Sequence, residues 1–169
     1  MKPLVKEVLF AAFGDWKVEA YAWSKELARR LNASFRVLQS NTELNDTFNQ
    51  QLLQADGYYF GHYHHTPLKT NLTSFKKGLS PDFVDYLNES SGLAVIVLDP
   101  SAKSVFHEDA LNLSHHVVLS IPNPITKVSN GTEFMDILRQ ISIINLPFQY
   151  SPGRQSWFAK LAQTFQAFL

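Results

Sequence analysis

The sequence contains no cysteine, and charge of neither sign predominates. The absence of cysteine excludes disulfides, thiol nucleophiles and thiolate metal sites. Lys+Arg and Asp+Glu number 15 each, so the chain as a whole has no electrostatic attraction for nucleic acid or anionic lipid, and neither is an expected partner. No stretch approaches the ~20 apolar residues that span a bilayer. The N-terminus lacks the basic flank and cleavage site of a secretory signal. We therefore expect a cytoplasmic protein without membrane insertion.

Length and composition predict one globular domain followed by a short C-terminal extension. The chain has 169 residues, of which 45% are hydrophobic, enough for a single sizeable core. We assign residues 1–146 to one α/β domain and 147–169 to a linker and an amphipathic helix. The apolar side chains of that helix either pack on the domain or dock on a second subunit. They are Trp157, Phe158, Leu161, Phe165 and Phe168.

The first forty residues predict a strand–helix–strand unit. Val8–Phe13 is a short, continuously apolar run, which is typical of a strand buried on both faces. Apolar residues then recur at helical spacing from Trp16 to Leu31, with Asp15 as the predicted N-cap and Asn32 as the stop. A second strand follows over 34–39. Two strands joined by such a helix are expected to be parallel, with a right-handed crossover.

The same alternation continues through the rest of the domain. The further predicted elements are helices over 42–55, 80–89 and 132–143, and strands beginning at residue 58 and covering 93–98 and 117–121. Alternating strands and helices predict an open sheet covered by helices on both faces. The predicted fold is a Rossmann-like three-layer α/β/α sandwich with a mostly parallel, five-stranded sheet.

The predicted binding site is a cleft at the carboxyl ends of the strands, where ligands bind in open α/β sheets. Its candidate residues are Phe13, Gly14, Asp15, Gly61, His62, His64, His65 and Asp99. No carboxylate stands at a characteristic metal spacing beside the histidines, so we interpret them as a polar rim and predict no metal site. Asp99-Pro100-Ser101 lacks the glycines of a nucleophile elbow and is interpreted as a turn. We predict no catalytic residue.

Three segments carry a resemblance to a known family. The helix Ala20–Ala33, the segment Gln54–Gly61 and the strand Leu93–Leu98 resemble the universal stress protein (adenine nucleotide alpha hydrolase-like) family. The resemblance implies strand order 3-2-1-4-5, self-association and a role in stress response. ATP-binding members carry a glycine pair whose backbone approaches the phosphates. Here His62 follows Gly61 and the next glycine is Gly78, so we expect no ATP.

The segment before Gly61 also resembles flavodoxin-like proteins, whose strand order is 2-1-3-4-5. Their phosphate loop is rich in Ser, Thr and Gly, whereas Phe13-Gly14-Asp15-Trp16 is not, and Asp15 would repel a phosphate. Flavin is therefore not expected either, and the sequence predicts no cofactor. Both strand orders remain open at this point.

Two classes of function follow. The leading hypothesis is a non-enzymatic stress-response or regulatory module of the universal stress protein type, forming a homodimer and binding a small ligand. The alternative is a flavodoxin-like or hydrolase-like enzyme using the cleft around Asp15, His62, His64, His65 and Asp99.

Overall fold

The computed structural model describes residues 5–40, 45–63, 68–75, 92–102, 116–126 and 133–145. These residues form six strands and three helices. In chain order they are β1 (Glu7–Ala12), α1 (Val18–Arg30), β2 (Ser34–Ser40), α2 (Asn45–Tyr63), β3 (Thr70–Phe75), β4 (Ala94–Leu98), β5 (Val117–Ser120), α3 (Glu133–Gln140) and β6 (Ser142–Asn145). The predicted helices over 80–89 and 156–169 and the linker before the latter lie outside the described residues.

The strands form one open sheet in the order β3-β2-β1-β4-β5-β6. The first five are parallel, and β6 runs antiparallel to β5. The predicted α/β sandwich is confirmed, with six strands rather than five. Because β1 lies between β2 and β4, the order is 3-2-1-4-5 extended by one strand, and the flavodoxin order is excluded. The described part of the chain contains no helix that is both long and apolar enough to cross a membrane.

The sheet is buried on both faces, which is why its central strands are continuously apolar. Along β1, Val8 and Phe10 belong to one hydrophobic cluster, while Leu9 and Ala11 belong to another on the opposite face. The first cluster also contains the buried apolar residues of the three described helices. The predicted strands over 8–13, 34–39, 93–98 and 117–121 are therefore confirmed to within two residues at each end.

Helix α1 lies at the centre of the helical layer, because every residue from Ala20 to Ala28 is buried. Trp23 stacks on Phe134 of α3 with ring centroids 5.4 Å apart. The helix stops before Asn32, the predicted stop, which follows the C-cap Leu31 and adopts a left-handed φ of 55°. The following N–H, of Ala33, donates to the Ala28 carbonyl at 2.9 Å, a bond that closes the helix end.

The prediction of a strand at residues 58–60 is wrong, because α2 continues to Tyr63. Asp56-Gly57 does not end the helix, since Gly57 is exposed and a solvent-facing glycine costs only about 1 kcal/mol. Burial of Ala55, Tyr59 and Tyr63 along one side more than offsets that cost. The missed signal was the helical spacing of these three residues.

The third strand is instead β3, in a segment too polar to be recognised as a strand. It lies at the edge of the sheet, where partial exposure tolerates threonine and asparagine. The helix predicted over 132–143 is also shorter than expected. It ends at Gln140, and the β-branched pair Ile143-Ile144 forms part of β6.

Candidate functional site

A cavity of about 430 Å³ opens where β4 and β5 end. One wall comes from the first turn of α1, another from the residues that follow the two strands, and a third from α3. Its described lining comprises Lys17, Glu19, Ala20, Asp99, Pro100, Ile121, Pro122, Asn123, Pro124, Ile125, Glu133, Asp136 and Ile137. The volume lies within the range of pockets that take small organic ligands. We call this cavity the β4–β5 cleft.

Asp99 joins two of the walls. Its carboxylate is fully buried and accepts the backbone N–H of Lys17 and that of Ser101, both at 2.9 Å. The first bond caps α1 and the second begins the helical turn that contains Pro100. The prediction of Asp15 as the N-cap is wrong, because the N-cap is Lys17, two residues later, whose own side chain makes no capping bond.

This capping decides what the start of α1 can bind. In nucleotide-binding α/β proteins the free N–H groups at such a helix start hold a phosphate. Here an N–H at that position already donates to the protein's own carboxylate. A phosphate placed there would displace Asp99 or lie beside its negative charge.

Charge within the β4–β5 cleft is unbalanced although the whole chain is neutral. Among its described lining residues there are four carboxylates and one cation, Lys17. The Lys17 ammonium lies 3.8 Å from the Asp15 carboxylate, so its charge is partly compensated outside the cleft. Asp136 is buried and has the Arg139 guanidinium at 3.4 Å. The described walls therefore carry a net negative charge.

Apart from Asn123, the rest of the described lining is apolar. Ile121 and Ile125 enclose three residues that include the cis peptide bond Asn123–Pro124, and Ile137 lies one helical turn beyond Glu133. Such walls suit the hydrocarbon part of a ligand, while the carboxylates suit hydrogen-bond donors or a cationic group.

Glu133 is held in place by α2. The Tyr58 hydroxyl donates a short hydrogen bond to its carboxylate, and the His62 ring stacks on the Tyr58 ring with centroids 3.7 Å apart. His62 Nδ1 also lies 2.9 Å from the Tyr58 carbonyl oxygen. Burial, together with the neighbouring Glu133 carboxylate, raises the pKa of Tyr58 above its usual value. The phenol therefore remains a hydrogen-bond donor to this wall at neutral pH.

The structure brings together part of the site predicted from sequence. Phe13, Gly14 and Asp15 follow β1, and Asp99 follows β4, as expected. The Ser101 hydroxyl donates to the Asp15 carbonyl at 2.9 Å, and Gly14, with φ of 65°, lies against Ser101. Of these predicted residues, Asp99 belongs to the described cleft lining.

Among the described residues of the predicted site, Gly61 and His62 do not follow a strand. Gly61 and His62 lie in the last turn of α2, because the strand assigned before them is helical. The His62 ring contacts Tyr58, whose hydroxyl donates to Glu133 of the cleft wall. His64 and His65 lie outside the described residues. His116 is buried, and its Nδ1 accepts the Ala94 N–H at 3.2 Å, which is a structural role.

Sequence reasoning missed most of the cleft. Glu133, Asp136 and Ile137 share one side of α3 at helical spacing, and that acidic–apolar pattern was the available signal. Glu19 lies in the first turn of α1, and the apolar spacing by which that helix was predicted gave no indication of a binding role for it. The loop that follows β5 carries two prolines around Asn123, a pattern that marks a shaped loop but not its function.

The described part of the chain contains no candidate metal site. Its His, Asp and Glu residues form no group of three or more that could hold a metal ion. The Ser101 hydroxyl donates to a backbone carbonyl rather than to a base.

Comparison with known proteins found no match to a protein-family model, to a curated protein or to a solved structure.

Proposed function

We propose that this chain is a cytoplasmic, non-enzymatic regulatory module of the universal stress protein type that self-associates and binds a small ligand in the β4–β5 cleft. The observation that carries the proposal is a ligand-sized cavity at the carboxyl edge of the sheet. Its described lining holds carboxylates and apolar side chains but no nucleophile paired with a base. Strand order 3-2-1-4-5, which the family resemblance implies, supports the family assignment.

The charge of the cleft favours a ligand with a cationic amine on a short hydrocarbon body. An ammonium group about 4 Å from one carboxylate gains about 4 kcal/mol at an effective dielectric constant near 20. Several carboxylates face the same space, and the isoleucine and proline walls would cover the hydrocarbon part. The phosphates of ATP and FMN carry the same negative charge as the described cleft walls and would be repelled, and Asp99 already caps α1.

A thermal-shift panel tests this proposal. Spermidine and agmatine represent the amines, and ATP and FMN represent the phosphates, all at matched ionic strength. A ligand at a hundred times its dissociation constant stabilises a protein by about 2.7 kcal/mol, which is measurable as a higher melting temperature. We expect the amines to stabilise the chain and the phosphates not to do so.

The double variant Glu19→Gln/Glu133→Gln removes two cleft carboxylates and should abolish most of the amine effect. Glu7→Gln is the matched control, since Glu7 lies at the start of β1 and pairs with Arg36. Stabilisation by ATP or FMN alone would refute the ligand class while preserving a binding role. If no compound of either class stabilises the chain, the binding function itself is wrong.

A further inference from the structure

Two glutamates on neighbouring helices each accept a tyrosine hydroxyl from α2. The Tyr58 hydroxyl donates to Oε1 of Glu133 on α3, and the hydroxyl of the next residue, Tyr59, donates to Oε1 of Glu26 on α1 at 3.1 Å. The two carboxylate–phenol pairs have the same chemistry but different surroundings. Glu26 is fully buried, whereas Glu133 is half-buried and lines the β4–β5 cleft.

The buried pair shows what such a carboxylate can hold. Arg29 Nε donates to Glu26 Oε1 and Arg29 Nη2 donates to Glu26 Oε2, both at 2.8 Å. This is the two-bond contact in which a planar guanidinium matches both oxygens of a carboxylate. The Tyr59 hydroxyl shares Oε1 with Arg29 Nε, so a phenol on that oxygen is compatible with a guanidinium on both oxygens.

The sequence of α3 places cleft residues where α1 supplies its arginine. On α1 the guanidinium comes from Arg29, three positions after the glutamate. Three and four positions after Glu133 stand Asp136 and Ile137, and both line the β4–β5 cleft together with Glu133. A guanidinium that reached Glu133 as Arg29 reaches Glu26 would therefore come from a molecule in the cleft.

Tyr58 is itself held in place, so the orientation of Glu133 is set before a ligand binds. The His62 ring stacks on the Tyr58 ring with an interplanar angle of 15°, and Tyr58 also packs against the main hydrophobic cluster. The start of α3 is anchored separately, because Trp23 Nε1 donates to the Phe134 carbonyl at 3.1 Å. Removal of the Tyr58 hydroxyl should therefore release the Glu133 side chain without displacing α3.

The apolar part of the described cleft lining also suits a guanidinium. This group is more weakly hydrated than an ammonium, so it loses less hydration on entering a partly apolar site. Its planar faces can pack on aliphatic side chains while its edge donates to a carboxylate. The aliphatic residues that follow β5 in the lining are Ile121, Pro122, Pro124 and Ile125.

We infer that the β4–β5 cleft prefers a guanidinium to an ammonium group, with Glu133 as the acceptor and Tyr58 as the positioning residue. The guanidinium would donate two parallel hydrogen bonds to Glu133, as Arg29 does to Glu26. An ammonium is a compact point charge and does not match both oxygens in this way. The inference rests on the proposed binding of a cationic ligand and adds which cationic group the cleft selects.

Isothermal titration calorimetry with agmatine and putrescine tests the preference. Both compounds carry an ammonium group on a four-carbon chain, and they differ only in that agmatine has a guanidinium where putrescine has a second ammonium. We expect agmatine to bind about tenfold more tightly at matched ionic strength, because it gains a second charge-assisted hydrogen bond. That ratio corresponds to about 1.4 kcal/mol.

Two variants test the assigned residues. Tyr58→Phe keeps the ring that stacks on His62 and removes only the hydroxyl that donates to Glu133. The preference for agmatine should fall to about threefold or less, because the ligand must then order the carboxylate itself. Glu133→Gln should bring the ratio close to one. Adding Tyr58→Phe to Glu133→Gln should change the ratio no further, as expected if the phenol acts through that carboxylate.

Tyr59→Phe is the matched control. It removes the same donor from the neighbouring residue, but the acceptor it leaves is Glu26 in the interior. It should lower the stability of the chain while leaving the agmatine-to-putrescine ratio unchanged. Far-UV circular dichroism and urea unfolding establish that each variant is folded under the conditions of the titration.

The outcomes separate the inference from the proposal on which it rests. If neither agmatine, putrescine nor spermidine binds the wild-type chain, the proposed ligand class is wrong and the inference with it. If putrescine binds as tightly as agmatine, the cationic ligand class stands and the guanidinium preference is overturned. A preference that survives Glu133→Gln, that Tyr58→Phe leaves unchanged, or that Tyr59→Phe reduces equally would overturn the assigned residues.

Discussion

Replacing Glu26 by glutamine should cause a large loss of stability. The Glu26 carboxylate is fully buried. It accepts two hydrogen bonds from Arg29 at 2.8 Å, one from Arg30 Nε at 2.9 Å and one from the Tyr59 hydroxyl at 3.1 Å. The Arg30 guanidinium also lies 4.1 Å from the Phe134 ring centroid, so it is packed between α1 and α3. Glu26→Gln removes the only negative charge shown among these contacts.

The expected cost follows from the burial of the cations left behind. Arg30 is 8% exposed, so it cannot recover its hydration without movement of the helices. Removing one partner of a buried ion pair typically costs about 3–5 kcal/mol. At about 3 °C per kcal/mol for a domain of this size, the melting temperature should fall by about 10 °C.

Glu7→Gln again provides the control. Glu7 faces Arg36 Nε at 3.2 Å, so the same side chains form the same kind of pair, but both are partly exposed. Pairs of this kind contribute only about 0–1 kcal/mol. Urea unfolding followed by tryptophan fluorescence would give both free-energy changes. If Glu26→Gln cost no more than Glu7→Gln, the reasoning that burial sets the value of this network would be refuted.

Two further predictions concern titration and helix capping. Burial raises the pKa of Tyr21, Tyr58, Tyr59 and Tyr63, so ultraviolet titration should show these four of the six tyrosines still protonated above pH 10. Because the pKa of each of these tyrosines is higher in the folded than in the unfolded chain, the stability they confer is complete below pH 10 and declines as the pH rises above it. Ionisation of all six tyrosines near pH 10 in the folded chain would contradict the raised pKa values. Asp99→Ala should cost about 1–2 kcal/mol in urea unfolding through loss of the α1 cap, whereas Asp15→Ala should cost little; equal costs would contradict the assigned cap.

The alternation of apolar strands and helices was sufficient to predict the fold class. Strands such as β4 are buried on both faces, so their composition alone identifies them. The same criterion failed for β3, which lies at the edge of the described sheet. Its side chains are partly exposed, so polar residues are tolerated there and the composition does not indicate a strand. It failed in the opposite direction for α2, where the aromatic cluster Tyr58-Tyr59-Phe60 resembled a strand but packs with helical periodicity.

The candidate site was less accessible to sequence reasoning. Asp99 could be placed beyond a strand end, because any residue following a buried parallel strand reaches that edge of the sheet. Its role could not be deduced, since its acceptor contact with Lys17 spans 82 positions in sequence. The contact between Tyr58 and Glu133 spans 75. Such pairs are formed by packing and leave no local pattern.

By itself, the sequence determined that β1, β2, β4 and β5 are parallel core strands and that thiol chemistry is excluded, since both follow from local composition. Only the tertiary structure decided where carboxylates converge and which of the described strands lie at the edges of the sheet. Those properties depend on which distant elements become neighbours. Asp15 and Asp99 show the difference. Both acids follow strands, and the sequence predicted Asp15 as the cap of α1, but the end of β4 packs against the start of α1, so Asp99 caps the helix instead.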